Sequence, residues 1–170
     1  MKKTFFRLMA IQLSLLGLSA INAQEVIKIS RLQAPVEFDG RPFETAWNGS
    51  SYFPLKMNRP NFGNDPSETS EVMIACDDEF LWVGARLYMR DAKKIFANSK
   101  KRDEELFGFD SFGILLDSYN DNENGLAFFT APTGLRTDYT ISNDAAGQGG
   151  GPGGPAGMNF SWNTFWDVKT

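Results

Sequence analysis

The alternation of apolar and polar residues is clearest over residues 71–91, where it predicts two strands joined by an acidic turn at residues 77–79. Successive side chains of a strand point to opposite faces, so the second strand has two unlike faces. We expect the all-apolar face to lie in the core: Leu81, Val83, Ala85, Leu87 and Met89. The other face is aromatic and cationic around a glycine: Phe80, Trp82, Gly84, Arg86 and Tyr88. It is a candidate binding surface, or it packs beneath a loop.

Further short strands with little sign of helix follow the same pattern. The predicted strands are 26–29, 109–117, 126–131 and 136–142, separated by polar or Gly/Pro turns at 58–70, 118–125 and 132–134. A single helical turn is expected at 43–47, a short helix or ordered excursion at 92–105, and a flexible loop in the Gly-rich stretch 147–157. This pattern favours an all-β fold, an antiparallel β-sandwich.

Both ends of the chain carry signals of their own. A basic start, an apolar run over residues 8–18 and small residues at 21–23 predict a signal peptide over 1–23. The mature β-sandwich domain is then 24–170, exported to the periplasm, outer membrane or cell surface. Because the sequence stops in a strand-like segment after two tryptophans, we expect this domain to be C-terminally incomplete.

Composition excludes several functional classes. The chain has 21 acidic and 17 basic residues, and removing Lys2, Lys3 and Arg7 with the signal peptide leaves 14 basic residues. Such an acidic protein is a poor ligand for the nucleic-acid phosphate backbone, so no nucleic-acid partner is expected. Histidine is absent, which removes histidine-based catalysis and His-ligated zinc. The single cysteine, Cys76, is expected to be a small buried hydrophobe.

Five short pieces occur in an order that resembles carbohydrate-binding module family 9. They are Asp39-Gly40, the segment from Glu44 to Trp47, the segment from Asp77 to Gly84, the segment from Phe109 to Asp117, and the segment from Trp162 to Asp167. The resemblance is closer to the copy found at the N-terminus of large exported bacterial proteins whose remainder is an uncharacterised, membrane-barrel-like domain.

The resemblance implies a sugar-binding β-sandwich with structural calcium and an oligo- or polysaccharide ligand. The residues that match a sugar site in type are Trp82, Arg86, Tyr88, Asn163 and Trp166. A membrane would be reached only through a C-terminal domain absent from this chain. Two alternatives stay open: a structural or interaction domain attached to an outer-membrane barrel, and an accessory part of a glycoside hydrolase.

Carboxylates raise three further hypotheses. Asp117, Asp121 and Glu123 lie in an oxygen-rich turn of the kind that calcium favours, although Asx residues also crowd plain turns. In the predicted strand, Asp110 lies on the same face as the apolar residues Phe112, Ile114 and Leu116. It is therefore a candidate buried charge, which needs a partner such as Arg86. As a glycosidase pair, Asp110 and Asp117 fail, because they face opposite ways and lie roughly 20 Å apart along one strand.

Overall fold

The computed structural model describes residues 26–104, 108–146 and 155–170. Within these ranges the chain consists of strands, loops and three 3₁₀ turns, so the predicted all-β class is confirmed. The 3₁₀ turns are Thr45–Trp47, Ala92–Lys94 and Asn143–Ala145. The predicted signal peptide lies outside the described residues, as does most of the Gly-rich stretch.

The first sheet has three strands in the order β1-β2-β3, namely Ser30–Arg31, Ser70–Cys76 and Leu81–Leu87. β1 runs parallel to β2, and β2 runs antiparallel to β3. The predicted hairpin and its acidic turn are thereby confirmed. The predicted strand at 26–29 is wrong, because the pairing with β2 begins only at Ser30.

One carboxylate organises the turn of this hairpin. Asp77 accepts hydrogen bonds from the backbone N–H groups of Glu79 and Phe80, at 2.8 and 2.7 Å. It also accepts one from the indole Nε1–H of Trp82, at 2.6 Å. The turn is therefore fixed by side-chain capping of backbone donors, as Asx residues commonly do.

These hydrogen bonds make the hairpin turn sensitive to acid. The Trp82 indole, followed by the two backbone donors, holds the pKa of Asp77 below its ordinary value because all three bind the charged carboxylate. The resulting stabilisation is present above the ordinary aspartate pKa and is lost as the pH falls through the lower folded value. We expect Trp82→Phe to raise the pKa of Asp77, which carboxyl NMR titration would measure. An unchanged pKa would contradict the assignment, and Trp162→Phe serves as the control.

On β3 the structure contradicts the predicted core face and bears out the alternative for the other face, which packs beneath another segment. Trp47, Met73 and Ala75 form a buried cluster, and Trp82 packs against it. A Cβ atom on Gly84 would lie 3.1 Å from the Trp47 ring. The glycine gap in the aromatic face is therefore filled by Trp47, and this face is covered.

The other face, predicted to be core, is exposed at both ends of β3 and just after it. Leu81, Leu87 and Met89 are 45%, 52% and 40% exposed. The physical reason is that the segment carrying Trp47 crosses the Trp82 side of the sheet, which strand parity alone does not reveal. Parity separates two faces correctly without saying which one is covered.

The second sheet is antiparallel, in the order β4-β5-β6-β7. Its strands are Phe112–Leu116, Gly125–Thr130, Arg136–Ile141 and Met158–Asn159. The predicted turns at 118–125 and 132–134 separate the first three strands, apart from Gly125, which already belongs to β5. The strand predicted at 109–117 is shorter than expected, since pairing starts at Phe112.

An aromatic stack runs across one face of the second sheet. The Phe129 and Tyr139 rings are 5.9 Å apart and nearly parallel, and Phe160 stacks on Tyr139 at 4.4 Å. Gly113 lies beneath Phe129, where a Cβ atom would be 2.3 Å from the ring. Burial in this stack raises the pKa of Tyr139. The opposite face of the sheet is covered by the C-terminal segment.

Candidate functional site

The structure separates the residues that the sequence grouped as one sugar site. Trp82, Arg86 and Tyr88 lie on or just after β3 in the first sheet. Asn163 and Trp166 lie in the segment that crosses the second sheet. Within the described residues no hydrogen bond or ring contact joins the two groups. They therefore belong to two different surfaces.

The guanidinium of Arg86 is engaged inside the first sheet. Its Nε lies 3.1 Å from Glu71 Oε2 in an ion pair that lacks hydrogen-bond geometry, and its side chain is only 18% exposed. Its Nη2 donates to Tyr52 Oη at 2.6 Å, and the group lies over the rings of Phe43 and Tyr52. The expected pairing of Arg86 with Asp110 is wrong. Tyr88 donates to Glu71 at 3.3 Å in the same cluster.

Asp110 is not a buried charge. It is exposed, and it precedes β4 instead of lying within it. Its carboxylate accepts from the backbone N–H of Phe96 at 2.8 Å, and its own N–H donates to the Phe96 carbonyl at 2.8 Å. The predicted burial is corrected because strand parity does not extend beyond the paired residues.

The acidic turn after β4 is a hydrogen-bonded turn. The Asp117 carboxylate accepts from the backbone of Asp121 and Asn122, and the Asp121 carboxylate accepts from Glu123 and Asn124. Among the residues that the structure describes, no group of three His, Cys, Asp or Glu side chains is placed to hold a metal ion. The calcium hypothesis for Asp117, Asp121 and Glu123 is therefore not supported, and the plain-turn alternative accounts for this segment.

A different carboxylate, Asp138, lies at the centre of the best-formed site. It sits on β6 and is fully buried. Arg102 donates to one carboxylate oxygen through Nη2, and the backbone N–H of Thr164 donates to the other at 2.9 Å. A buried charge is tolerated only when it is paired and hydrogen-bonded in this way.

Arg102 also orients an amide. Its Nε and Nη2 groups both donate to Asn163 Oδ1, at 3.0 and 2.5 Å. Its Nε lies 3.4 Å from Asp103 as well. Because a guanidinium only donates, the amide must turn its oxygen inward and its nitrogen outward. Asn163 is thus held in one orientation by a group that Asp138 in turn fixes.

These groups line a cleft of about 350 Å³ beside the second sheet. Arg136 forms one side, where its Nη1 donates to the Trp166 carbonyl at 2.7 Å and lies 3.1 Å from Asp167. The lining residues are Arg102, Arg136, Asn163, Thr164, Phe165 and Trp166. The cleft therefore combines two guanidinium groups, an amide, a hydroxyl and two aromatic side chains.

The two aromatic residues of the cleft have different environments. Trp166 packs edge-on against Phe128 with ring centroids 5.4 Å apart, and Trp162 packs on the same ring at 6.2 Å. Phe165 is fully exposed, at 105%. Trp166 therefore anchors the segment to the sheet, whereas the Phe165 ring is open to a ligand.

Several cleft residues escaped the sequence interpretation. Arg102 lies in the stretch 92–105, for which only a short helix or ordered excursion was expected, and Asp138 and Arg136 lie in a strand for which no functional hypothesis was made. One signal was available: Arg136 and Asp138 are two apart and so share a strand face. A carboxylate placed among inward-facing residues calls for a buried partner.

The comparisons with known proteins give no match: no family model, no curated protein and no solved structure is similar to this chain. Over the described ranges, no helix has the length and apolar character needed to cross a membrane. The functional argument therefore rests on the cleft and on the sequence motifs.

Proposed function

We propose that this protein is a carbohydrate-binding module of the family 9 type, a β-sandwich that is exported and is not catalytic by itself. Its place would be within a larger envelope protein that binds or breaks down carbohydrate. The observation that carries this proposal is the cleft in which Asp138 fixes Arg102 and Asn163 beside the exposed Phe165 ring.

Sugar recognition asks for two kinds of surface. An aromatic face covers the C–H side of a pyranose ring, and planar polar groups bind its hydroxyls in pairs. Phe165 provides the first, and Arg102 with Asn163 provides the second. Because the polar pair is already ordered by a buried carboxylate, little conformational entropy is lost when a ligand binds.

The carboxylates near the cleft favour binding over hydrolysis. Asp138 is buried and engaged by Arg102 and Thr164, while Asp167 is paired with Arg136. A glycosidase needs one carboxylic acid and one carboxylate placed on the two sides of the scissile bond. A carboxylate that is paired with a guanidinium is poorly suited to act as the acid that protonates the leaving group or as the base that accepts a proton.

Replacing the exposed ring tests the proposal. We expect Phe165→Ser to weaken binding of a responsive oligosaccharide by about tenfold or more, since aromatic contacts of this kind contribute on the order of 1 kcal/mol beyond buried area. Isothermal titration across a broad glycan panel measures the effect. The matched control is Phe62→Ser, another highly exposed phenylalanine in the loop before β2. Equal affinity of the two variants, or no binding by the unmodified protein across the panel, would contradict the proposal.

A second candidate is a structural or interaction domain attached to an outer-membrane barrel. Exposed apolar side chains at the two ends of β3, Leu81 and Leu87, and at Met89 just after it favour this candidate, because exposed apolar side chains are typical of contact surfaces. These side chains and the cleft belong to different sheets, so the two candidates are separable by mutation.

A further inference from the structure

The cleft has more hydrogen-bond donors available than its internal contacts use. In the described residues, Arg102 bonds through Nε and Nη2, which leaves both N–H groups of Nη1 without an acceptor. Asn163 spends its oxygen on Arg102, so its NH₂ group is also available. Beyond their contacts with each other and with Asp138, Arg102 and Asn163 therefore present donors only.

The other side of the cleft adds donors of the same kind. The contacts of Arg136 within the described residues use Nη1 alone, so Nε and Nη2 stay available. The indole Nε1–H of Trp166 is buried and has no hydrogen-bond partner among the described residues. A buried, unpaired donor is costly.

Acceptors are scarce among the lining side chains. Asn163 has used its oxygen, and Thr164 supplies a single hydroxyl. Two arginines, an asparagine and a tryptophan thus line one space whose side chains offer few acceptors to a ligand. A neutral sugar hydroxyl both donates and accepts, so it matches such a lining less well than an anionic oxygen does.

The charges around the cleft decide whether an anion can enter. Asp138 is fully buried and stays with Arg102, whose Nε also lies 3.4 Å from the part-buried carboxylate of Asp103. Asp167, which is paired with Arg136, is 67% exposed, and an exposed ion pair of this kind adds little free energy. An incoming carboxylate can therefore replace Asp167 at Arg136 while the Asp138 pair remains intact.

We propose that the cleft selects an acidic saccharide, whose anionic group is bound between Arg102 and Arg136 while a sugar ring lies against Phe165. This inference deepens the proposed function and rests on it. The anionic group is the carboxylate of a uronic acid or the sulfate of a sulfated sugar. Both groups present neighbouring anionic oxygens, to which a guanidinium group can donate two hydrogen bonds.

Matched oligosaccharides test the selection. Glucuronate-containing, sulfated and neutral glucose-based oligosaccharides of equal length are titrated into the protein at low and at moderate ionic strength. We expect at least one acidic series to bind about tenfold more tightly than the neutral series, with a preference that shrinks as salt is added. The two acidic series show which anionic group is recognised.

Two variants locate the selection at Arg136. Asp167→Asn removes the competing carboxylate and should tighten acidic-sugar binding by about threefold to tenfold, with little effect on neutral sugars. Arg136→Gln should remove the acidic preference. The control for the change in net charge is Asp65→Asn, whose carboxylate pairs with Lys56 in a loop away from the cleft.

Failure of the inference is distinct from failure of the proposed function. Neutral and acidic oligosaccharides that bind equally well would overturn the acidic selection and leave the sugar-binding function in place. An equal gain from Asp167→Asn and Asp65→Asn would also overturn it, since the effect would then come from overall charge. Absence of binding to every oligosaccharide would overturn both.

Discussion

Arg102→Leu is expected to lower the free energy of unfolding by about 3 kcal/mol, because it leaves the Asp138 carboxylate buried without its counter-ion. Removing one partner of a buried pair typically costs about 3–5 kcal/mol. The lower end applies here, since the Arg102 side chain is 34% exposed and solvent screens part of the interaction. Urea denaturation followed by tryptophan fluorescence measures the loss.

Two further variants make this expectation specific. Arg90→Leu removes an arginine that is itself 78% exposed in its pair with Glu68, and it should change stability by less than about 1 kcal/mol. The double variant Arg102→Leu with Asp138→Leu removes both charges and should be more stable than Arg102→Leu alone. A double variant that is less stable than the single one would show that the buried charge is not the source of the cost.

Trp47→Ala should destabilise the first sheet by about 3–5 kcal/mol, the usual cost of truncating a large buried aromatic side chain. Trp47 is 6% exposed, packs in the cluster with Met73 and Ala75, and covers Gly84. Its removal would open a cavity under the centre of β3. The same urea denaturation assay measures the effect, with Phe62→Ala as the exposed control.

The indole nitrogen of Trp47 refines this expectation. It is buried and has no hydrogen-bond partner in the described part of the chain. Trp47→Phe should therefore cost much less than Trp47→Ala, because it keeps most of the apolar volume and removes an unpaired donor. If Trp47→Phe were as damaging as Trp47→Ala, an unobserved partner for the indole would have to be invoked and the packing account would be wrong.

Local chemistry made much of the fold predictable. The hairpin of β2 and β3 follows from period-two alternation and from a turn in which Asp77 caps its own backbone, both of which are properties of neighbouring residues. The same holds for the polar turn before β5. The alternation of apolar and polar residues does not tell which distant segment of the chain packs against a given face of a strand.

The two faces of β3 show this limit. For Trp82 and Arg86 the sequence left two interpretations open, an exposed binding surface and a face packed beneath a loop, because aromatic and cationic side chains are unusual on a buried face. In the structure, Trp47 from a distant turn fills the Gly84 gap, and Arg86 forms an ion pair with Glu71 and a hydrogen bond with Tyr52. Each partner lies outside the strand, so no property of the strand alone identifies it.

The cleft shows the same limit from the other side. Asn163 and Trp166 were predicted from their residue types and do line it, but their partners Arg102, Asp138 and Arg136 were not. In the sequence, Arg102 is simply the last of three consecutive basic residues, 100–102. Only the position of β6 in the fold brings the buried carboxylate of Asp138 to it. Residue types in the sequence therefore predicted some of the residues of this site, but only the tertiary fold brings them together with the others.

The contacts of Arg102 also determine what ligand binding reports about the chain. The hairpins β2–β3, β4–β5 and β5–β6 are closed by short turns, whereas Arg102 reaches 36 residues to Asp138 and 61 residues to Asn163. Closing such long loops costs conformational entropy that no local turn offsets. A preparation with these hairpins formed and normal strand content can therefore still lack the cleft, so affinity for a ligand measures completed tertiary assembly, which strand content does not.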